Sequence, residues 1–323
     1  MSSSISVIMT TFNQLDCLKG TIEGVLSQNL ALIKEFIIAD DCSSDGSSDI
    51  IKIYHEKYPD LIKPIYRKKN VGVLDNFYNA LKGCSGEYVS PLGGDDLWID
   101  NYKLEKQFFY LESNKEYSII GSNYIQWYKG REPKSYGLAY PINGKNNINT
   151  SQLMVHNHIA LQTSMFRREF VDSLPSLYNG EDGKLVLYLS SKGKVLIDTN
   201  LITTVYVISG KGLAARNVTY SDRVNNLLVK YKKAKCWNNY FDKQYDRSIS
   251  NLKSDIVRHA LFLSVKHFKF FKAIIFLNQC THNSKRFRNK ILFRFTKSLL
   301  KPINSYLNNL FNKMYLAAKE IPY

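Results

Sequence analysis

Residues 86–98 read GEYVSPLGGDDLW. Tyr88 to Leu92 is a short, mostly apolar run, the pattern of a strand buried on both faces. It ends in Gly93-Gly94-Asp95-Asp96, a turn-forming cluster that carries two adjacent carboxylates. The same phrase occurs twice upstream. Ile5 to Met9 (ISVIM) runs into Thr10, Thr11, Phe12 and Asn13, and Phe36 to Ala39 (FIIA) runs into Asp40-Asp41-Cys42-Ser43-Ser44-Asp45-Gly46. Ile62 to Tyr66 is a further strand, followed by the Asn70-Val71-Gly72 turn. Between these runs, Leu15, Leu18, Ile22, Val25 and Leu26 recur at helical spacing, and residues 48–58 and 74–82 also read as helices. Strands alternating with helices predict βαβ units, hence an α/β fold with a mostly parallel central sheet. Such sheets bind ligands beyond the carboxyl ends of their strands. Three of the four strands end in polar loops, so topology gathers Thr10 to Asn13, Asp40-Asp41 and Asp95-Asp96 on one edge.

Beyond residue 110 the pattern is less regular. Tyr117 to Tyr128 reads as one or two strands, residues 129–150 as a long loop rich in Gly, Asn, Pro and Lys, and Thr163 to Arg167 as a short strand. Gly180-Glu181-Asp182-Gly183 is a turn leading into a helix that carries Leu185 and Leu189. Val195 to Ile197 and Leu201 to Ile208 are strand-like, and helical patterns dominate from about residue 221.

A chain of 323 residues that is 44% apolar and 22% charged is neither disordered nor collagen-like, and it is long enough for about two domains. The five cysteines are odd in number, widely spaced and without a C-x-x-C, which argues against a zinc ribbon or disulfide scaffold and fits a reducing cytoplasm. Cys17, Cys42 and Cys84 are expected to pack as small apolar residues. No apolar run is long enough to span a bilayer, and MSSSIS lacks the basic start of a secretory signal. P-loop, H-E-x-x-H, G-x-S-x-G and dinucleotide fingerprints are all absent.

The net charge of +16 is unevenly placed. Residues 1–223 hold 24 basic and 24 acidic side chains; residues 224–323 hold 20 and 4, so the whole excess lies in the last hundred. A neutral body with a basic tail suits an anionic surface, whether membrane or nucleic acid, although a solvated basic face without a partner has the same composition. Arg286, Lys290, Arg294, Lys297 and Lys301 form one helical stripe beside Phe287, Ile291, Phe295 and Leu299. That pattern suits a membrane interface or packing against the rest of the protein.

Each acidic pair has two readings. Asp95-Asp96 after a buried strand suits a hard divalent cation such as Mg²⁺ or Mn²⁺, which takes one or two carboxylates plus phosphate oxygens; it equally suits a solvated turn with a helix cap. Asp40-Asp41 can accept a hydrogen bond from a base or ribose, or cap the next helix. Asp182 can act as a general base for an acceptor hydroxyl, or stabilise a helix N-terminus. His156 and His158 lie two apart in a polar segment and read as solvated loop residues.

Taken in order, ISVIMTTFNQ, LSQN, EFIIADDCSSDGS, NVGVLDNFYNAL, GEYVSPLGGDDLW and GEDGKLVLYLSSKG resemble the family 2 glycosyltransferases of GT-A fold, over roughly residues 4–205. The nearest likeness is to bacterial enzymes of capsule, lipopolysaccharide and other surface polysaccharides. The resemblance implies a nucleotide-diphosphate sugar donor, usually a UDP-sugar, and a saccharide acceptor on a lipid carrier. It implies that Thr10 and Phe12 line the base pocket, with Phe12 stacking on uracil, and that Asp41 bonds the base while Asp40 shapes the loop. Asn70 and Gly72 then lie near the ribose. Asp95 is the ribose-side member of the acidic motif, Asp96 the metal ligand, and Asp182 the general base of an inverting displacement.

Two departures from the family pattern matter. Gly93 stands where many relatives carry another Asp, which implies a leaner metal site, and no Q-x-x-R-W is present, which implies single addition rather than processive synthesis. The resemblance thus divides the chain into a nucleotide-sugar half (1–110), an acceptor half (111–220) and a basic helical C-terminal region (221–323). It places the enzyme in the cytoplasm, peripheral to the inner face of the membrane. A nucleotidyltransferase would need a Gly-rich basic loop after the first strand, which TTFNQ lacks. A non-catalytic polyanion binder would rest on the tail alone, which shows no nucleic-acid module.

Overall fold

The computed structural model describes residues 4–128, 136–155, 159–175, 182–208 and 234–252, with positions 229, 232 and 256. The chain divides into two compact units, Met1–Arg216 and Asn217–Tyr323. The first unit opens with β1 (Ile5–Thr11), β2 (Ile33–Asp40), β3 (Ile62–Tyr66) and β4 (Tyr88–Gly93). Helices α1 (Leu15–Leu26), α2 (Ser47–Lys57) and α3 (Val73–Lys82) fill the three connections. All the pairings among these strands are parallel. Ile5, Val7, Ile8, Met9, Phe36, Ile38 and Ala39 are fully buried, as parallel strands covered on both faces require. Helix α1 buries Leu18, Thr21, Ile22 and Val25, each large apolar side chain contributing about 1.5–3 kcal/mol. Its first amide is capped from outside, Leu15 N donating to Asp45 Oδ2 at 2.9 Å.

The strand order β3-β2-β1-β4 reverses direction between β1 and β4. That reversal opens a crevice at the carboxyl ends of the two strands.

The later part of the unit comprises β5 (Asp96–Trp98), α4 (Lys103–Ser113), β6 (Tyr117–Tyr128), β7 (Tyr136–Leu138), β8 (Lys145–Ile148), α5 (Thr150–Val155), β9 (Met165–Arg167), α6 (Asp182–Leu189) and β10 (Lys194–Ile208). It extends the sheet as β4-β9-β6-β10-β5, with β7 on β6 and β8 on β10. The long pair β6–β10 is parallel, whereas the short strands β5, β7, β8 and β9 add antiparallel edges. The fold is α/β and mostly parallel, as the sequence indicates.

Several local readings change. The segment 129–150 is not one loop, because β7 and β8 lie within it. Val195–Ile197 and Leu201–Ile208 belong to one strand, β10, whose register slips near Asp198 and Ile202. Asp96 does not simply break β4; it begins β5. Cys42 does not pack as a small apolar residue: it is exposed and left-handed at φ 67°, whereas Cys84 is buried.

In the second unit residues 234–240 and 246–252 are helical. Trp237, Phe241 and Leu252 are buried, and Asn238 Nδ2 donates to Asp246 Oδ1 at 2.7 Å. The basic stripe from Arg286 to Lys301 lies outside the described residues, as do His156 and His158. Among the described residues no helix is long and apolar enough to cross a membrane.

Candidate active site

The ladder fixes which chain segments meet. Thr10 pairs with Ala39 on one side and Gly93 on the other, and Thr11 pairs with Asp40. Asp41 N donates to Thr11 O, and Gly94 N to Thr10 O, both at 2.9 Å. The Asp40-Asp41 and Gly93–Asp96 loops are therefore stitched to the same end of β1. They lie two strand spacings apart, about 10 Å.

Each acid in the first loop has a definite task. Asp40 is buried and accepts from Ser43 N and Oγ and from Ser48 Oγ, so it shapes the turn into α2. Asp41, also buried, accepts from Val71 N through one oxygen and from Gly72 N through the other, both at 2.8 Å. It thereby holds the 70–72 turn against the end of β2. Asn70 Oδ1 takes a second bond from Gly72 N at 3.1 Å. Gly72 sits at φ 89°, ψ 153°, a conformation essentially restricted to glycine. Each Asp41 oxygen retains a lone pair for a further donor. Phe12 follows β1 with 45% of its surface exposed, a free aromatic face at the strand end.

The acidic turn is built differently. Asp96 is buried, and its Oδ2 accepts from Gly93 N at 2.8 Å. Burial pushes the Asp95 carboxyl above its usual range, opposed by hydrogen bonds from its own backbone amide and the Gln14 side chain. A Cβ on Gly93 would lie 3.0 Å from both Asp95 Oδ1 and Asp96 Oδ2, so the absent side chain leaves a cradle flanked by two carboxylates. Among the described residues no three His, Cys, Asp or Glu side chains gather as a metal site. A donor set of two carboxylates does not suit zinc, which takes three or four protein ligands. It does suit Mg²⁺ or Mn²⁺, whose shell is completed by water and substrate phosphate.

A cleft of about 350 Å³ opens beside this turn, lined by Thr10, Gly93 and Asp96 from the strand edge, by Phe77 of α3, and by Tyr124, Gln162 and Tyr206. Of the residues singled out in the sequence, Thr10, Asp41, Asn70, Gly72, Asp95 and Asp96 thus converge with Phe12 on one edge. Asp182 opens α6, and its side chain lies outside the described residues. Tyr124, Gln162 and Tyr206 were not singled out. Nor was Arg67, whose Nε donates to Asn76 Oδ1 at 3.0 Å and whose buried Nη2 has no hydrogen-bond partner among the described residues. A basic residue directly after a strand end was its sequence signal.

This geometry defines an α/β protein with an acidic turn at the switch point of its sheet. Its relatives sharpen that class. The model of the family described as glycosyl transferase family 2 matches residues 6–174. The chain belongs to this family. An uncharacterized protein of Mycobacterium bovis is 30% identical over 174 residues, which is 53% of this chain and 49% of the relative. The chain thus spans about half the length of such relatives. An Escherichia coli protein, UDP-Glc:alpha-D-GlcNAc-diphosphoundecaprenol beta-1,3-glucosyltransferase, is 29% identical over 225 residues, covering 69% of this chain and 85% of the relative. The fold is shared with a mannosyltransferase from Pyrobaculum calidifontis solved with GDP-Man and Mn²⁺, at a TM-score of 0.57 and 15% identity, covering 98% of this chain and 86% of that one. This is the GT-A fold expected from the sequence.

Proposed function

We propose that the protein is an inverting, non-processive glycosyltransferase that moves a sugar from a UDP-sugar to a hydroxyl of a lipid-linked saccharide during surface-polysaccharide assembly. The observation that carries this reading is that strand register and the Asp41 N–Thr11 O bond gather Thr10, Asp41 and the Gly93–Asp96 turn at one end of β1. Phe12 offers the stacking face for the base, and Asp41 an acceptor for a base N–H, while Asn70 and Gly72 border the ribose. Asp96, with Asp95 beside it, would hold Mg²⁺ or Mn²⁺, which when bound neutralises the diphosphate leaving group. Arg67 Nη2 supplies a fixed donor near the Asp41 loop. Asp182 takes the proton of the acceptor hydroxyl as that oxygen attacks the anomeric carbon from the face opposite the diphosphate. The Escherichia coli relative, whose name gives a UDP-sugar donor and an undecaprenol-linked acceptor, supports both substrate classes. The charge excess of residues 224–323 supports docking on the anionic inner face of the cytoplasmic membrane.

The test is release of UDP from UDP-glucose, UDP-galactose and UDP-N-acetylglucosamine with Mn²⁺ present. Asp182→Ala is expected to bind UDP as wild type does and to turn over about 10²–10⁴-fold more slowly. Unchanged turnover in that variant would remove Asp182 from the mechanism, and no UDP release from any donor would remove UDP-sugars as the substrate class.

A further inference from the structure

The cleft beside Asp96 has an aromatic wall that none of the donor roles uses. In the antiparallel pairing of β5 with β10, Tyr206 stands directly opposite Asp96. In the parallel pairing of β6 with β10, Tyr124 is in register with Thr204 and Gln126 with Tyr206, which makes Tyr124 and Tyr206 diagonal neighbours. Their rings meet edge to face, with centroids 6.2 Å apart and planes at 89°. Tyr140 backs the pair, its ring 6.1 Å from Tyr124 at 83°. The backing is fixed by buried Asn123, which accepts from Tyr140 N at 3.1 Å and donates to Tyr140 O at 2.9 Å and Thr199 O at 3.0 Å. Both Tyr124 and Tyr206 reach the cleft. So does half-buried Gln162, whose backbone carbonyl is occupied by Trp98 Nε1 at 3.0 Å.

A rigid aromatic surface beside a carboxylate and an amide matches the two-sided chemistry of a pyranose ring. One face of a pyranose carries C–H bonds that lie well against the negative face of an aromatic ring. Its rim carries hydroxyls that need hydrogen-bond partners. The position along the sheet separates this surface from the nucleotide. The Asp41 loop sits at β2 and β3, the acidic turn follows β4, and the tyrosines stand on β6 and β10, further along the strand order. A donor with its nucleoside at the Asp41 loop and its diphosphate at the acidic turn leaves the tyrosine wall beyond it, on the side from which an acceptor meets the donor's sugar.

We infer that Tyr124 and Tyr206 form the seat of the acceptor pyranose, with Gln162 bonding its hydroxyls and the Asp96 edge placing it against the donor. The seat selects ring sugars with a continuous C–H face over open-chain polyols. This rests on the donor-side reading given above.

The test is ligand-observed saturation-transfer NMR on the full chain with UDP and Mg²⁺. The probes are the methyl glycosides of glucose, galactose and N-acetylglucosamine, and mannitol is the open-chain control. At least one methyl pyranoside is expected to take up saturation, concentrated on the C–H protons of one face, with mannitol silent. Tyr206→Leu keeps a β-compatible apolar side chain without the ring face, and Tyr124→Leu does the same on β6. Each should lower the pyranoside signal at least fivefold and leave the UDP signal unchanged, while Tyr206→Phe retains both. Pyranosides no stronger than mannitol, or a Tyr206→Leu signal equal to wild type, would overturn the seat. Loss of UDP and pyranoside signals together in the leucine variants would place the wall on the donor side and overturn the acceptor assignment. Absence of any UDP signal in wild type would bring down the donor reading, and the acceptor seat with it.

Discussion

Lys103 gives the sharpest physical prediction outside the active cleft. It is fully buried at the start of α4 and, among the described residues, touches no carboxylate. Its Nζ donates to Ser90 Oγ at 2.8 Å, Gln107 Oε1 at 2.9 Å and Ser164 O at 3.4 Å, and lies 4.2 Å from the centre of the Trp98 ring. Burial drives the amine's pKa well below the ordinary lysine value of 10.5, with the Asp100 charge pulling the other way. The unfolded chain therefore holds a proton that the native chain releases at the same pH. Stability must then rise with pH across the interval between the native pKa and 10.5, by about 1.4 kcal/mol per pH unit for one proton.

Lys103→Met keeps the volume and removes the titration. It also leaves Gln107 Oε1 without its donor, at a cost of about 1–3 kcal/mol. Near pH 10 wild type should accordingly be the more stable by that amount. As the pH falls the gap should close and then reverse, because wild type, unlike the variant, must give up a proton to fold. Urea denaturation of both proteins at intervals from pH 6 to pH 10 reads this directly. A stability difference that stays constant across the range would refute a depressed, titrating amine at this position.

Two further substitutions probe the strand edge. Gly94→Ala places a Cβ 2.6 Å from Gln14 Oε1 and 2.7 Å from Thr11 Oγ1; overpacking of this kind costs about 1–3 kcal/mol, and a lowered melting temperature with weaker UDP binding is expected. Asp41→Asn presents one acceptor to two backbone N–H groups, so either Val71 or Gly72 loses its partner at about 1–3 kcal/mol; if loop order sets nucleotide affinity, calorimetry should show UDP binding weakened about 10–100-fold.

The strand edge was legible because parallel strands covered on both faces write themselves as unbroken apolar runs. ISVIM, FIIA and YVSPL each stop at a polar loop, and topology does the rest. The Asp95-Asp96 turn was found for that reason, yet β5 was not. Three residues, Asp96 to Trp98, carry no period of their own, and they become a strand only by pairing with Thr204 to Tyr206, more than a hundred positions later. β7 and β8 hid in a Gly- and Asn-rich stretch for the same reason. The tyrosine wall depends on the register of β6 against β10, which slips near Asp198 and Ile202, and no local pattern encodes that slip. Lys103 carries no local sequence signal of its burial, which comes from its contacts with Ser90 and Ser164, far from it along the chain.

The central claim is that the acidic turn after β4 and the Asp41 loop hold one metal-bridged nucleotide diphosphate. Calorimetric titration of UDP, with and without Mn²⁺, into wild type and Asp96→Ala tests it most directly. Wild type should bind UDP markedly tighter with the metal, and Asp96→Ala should bind UDP equally weakly in both conditions. Metal enhancement that survives in Asp96→Ala, or that is missing from wild type, would contradict the account.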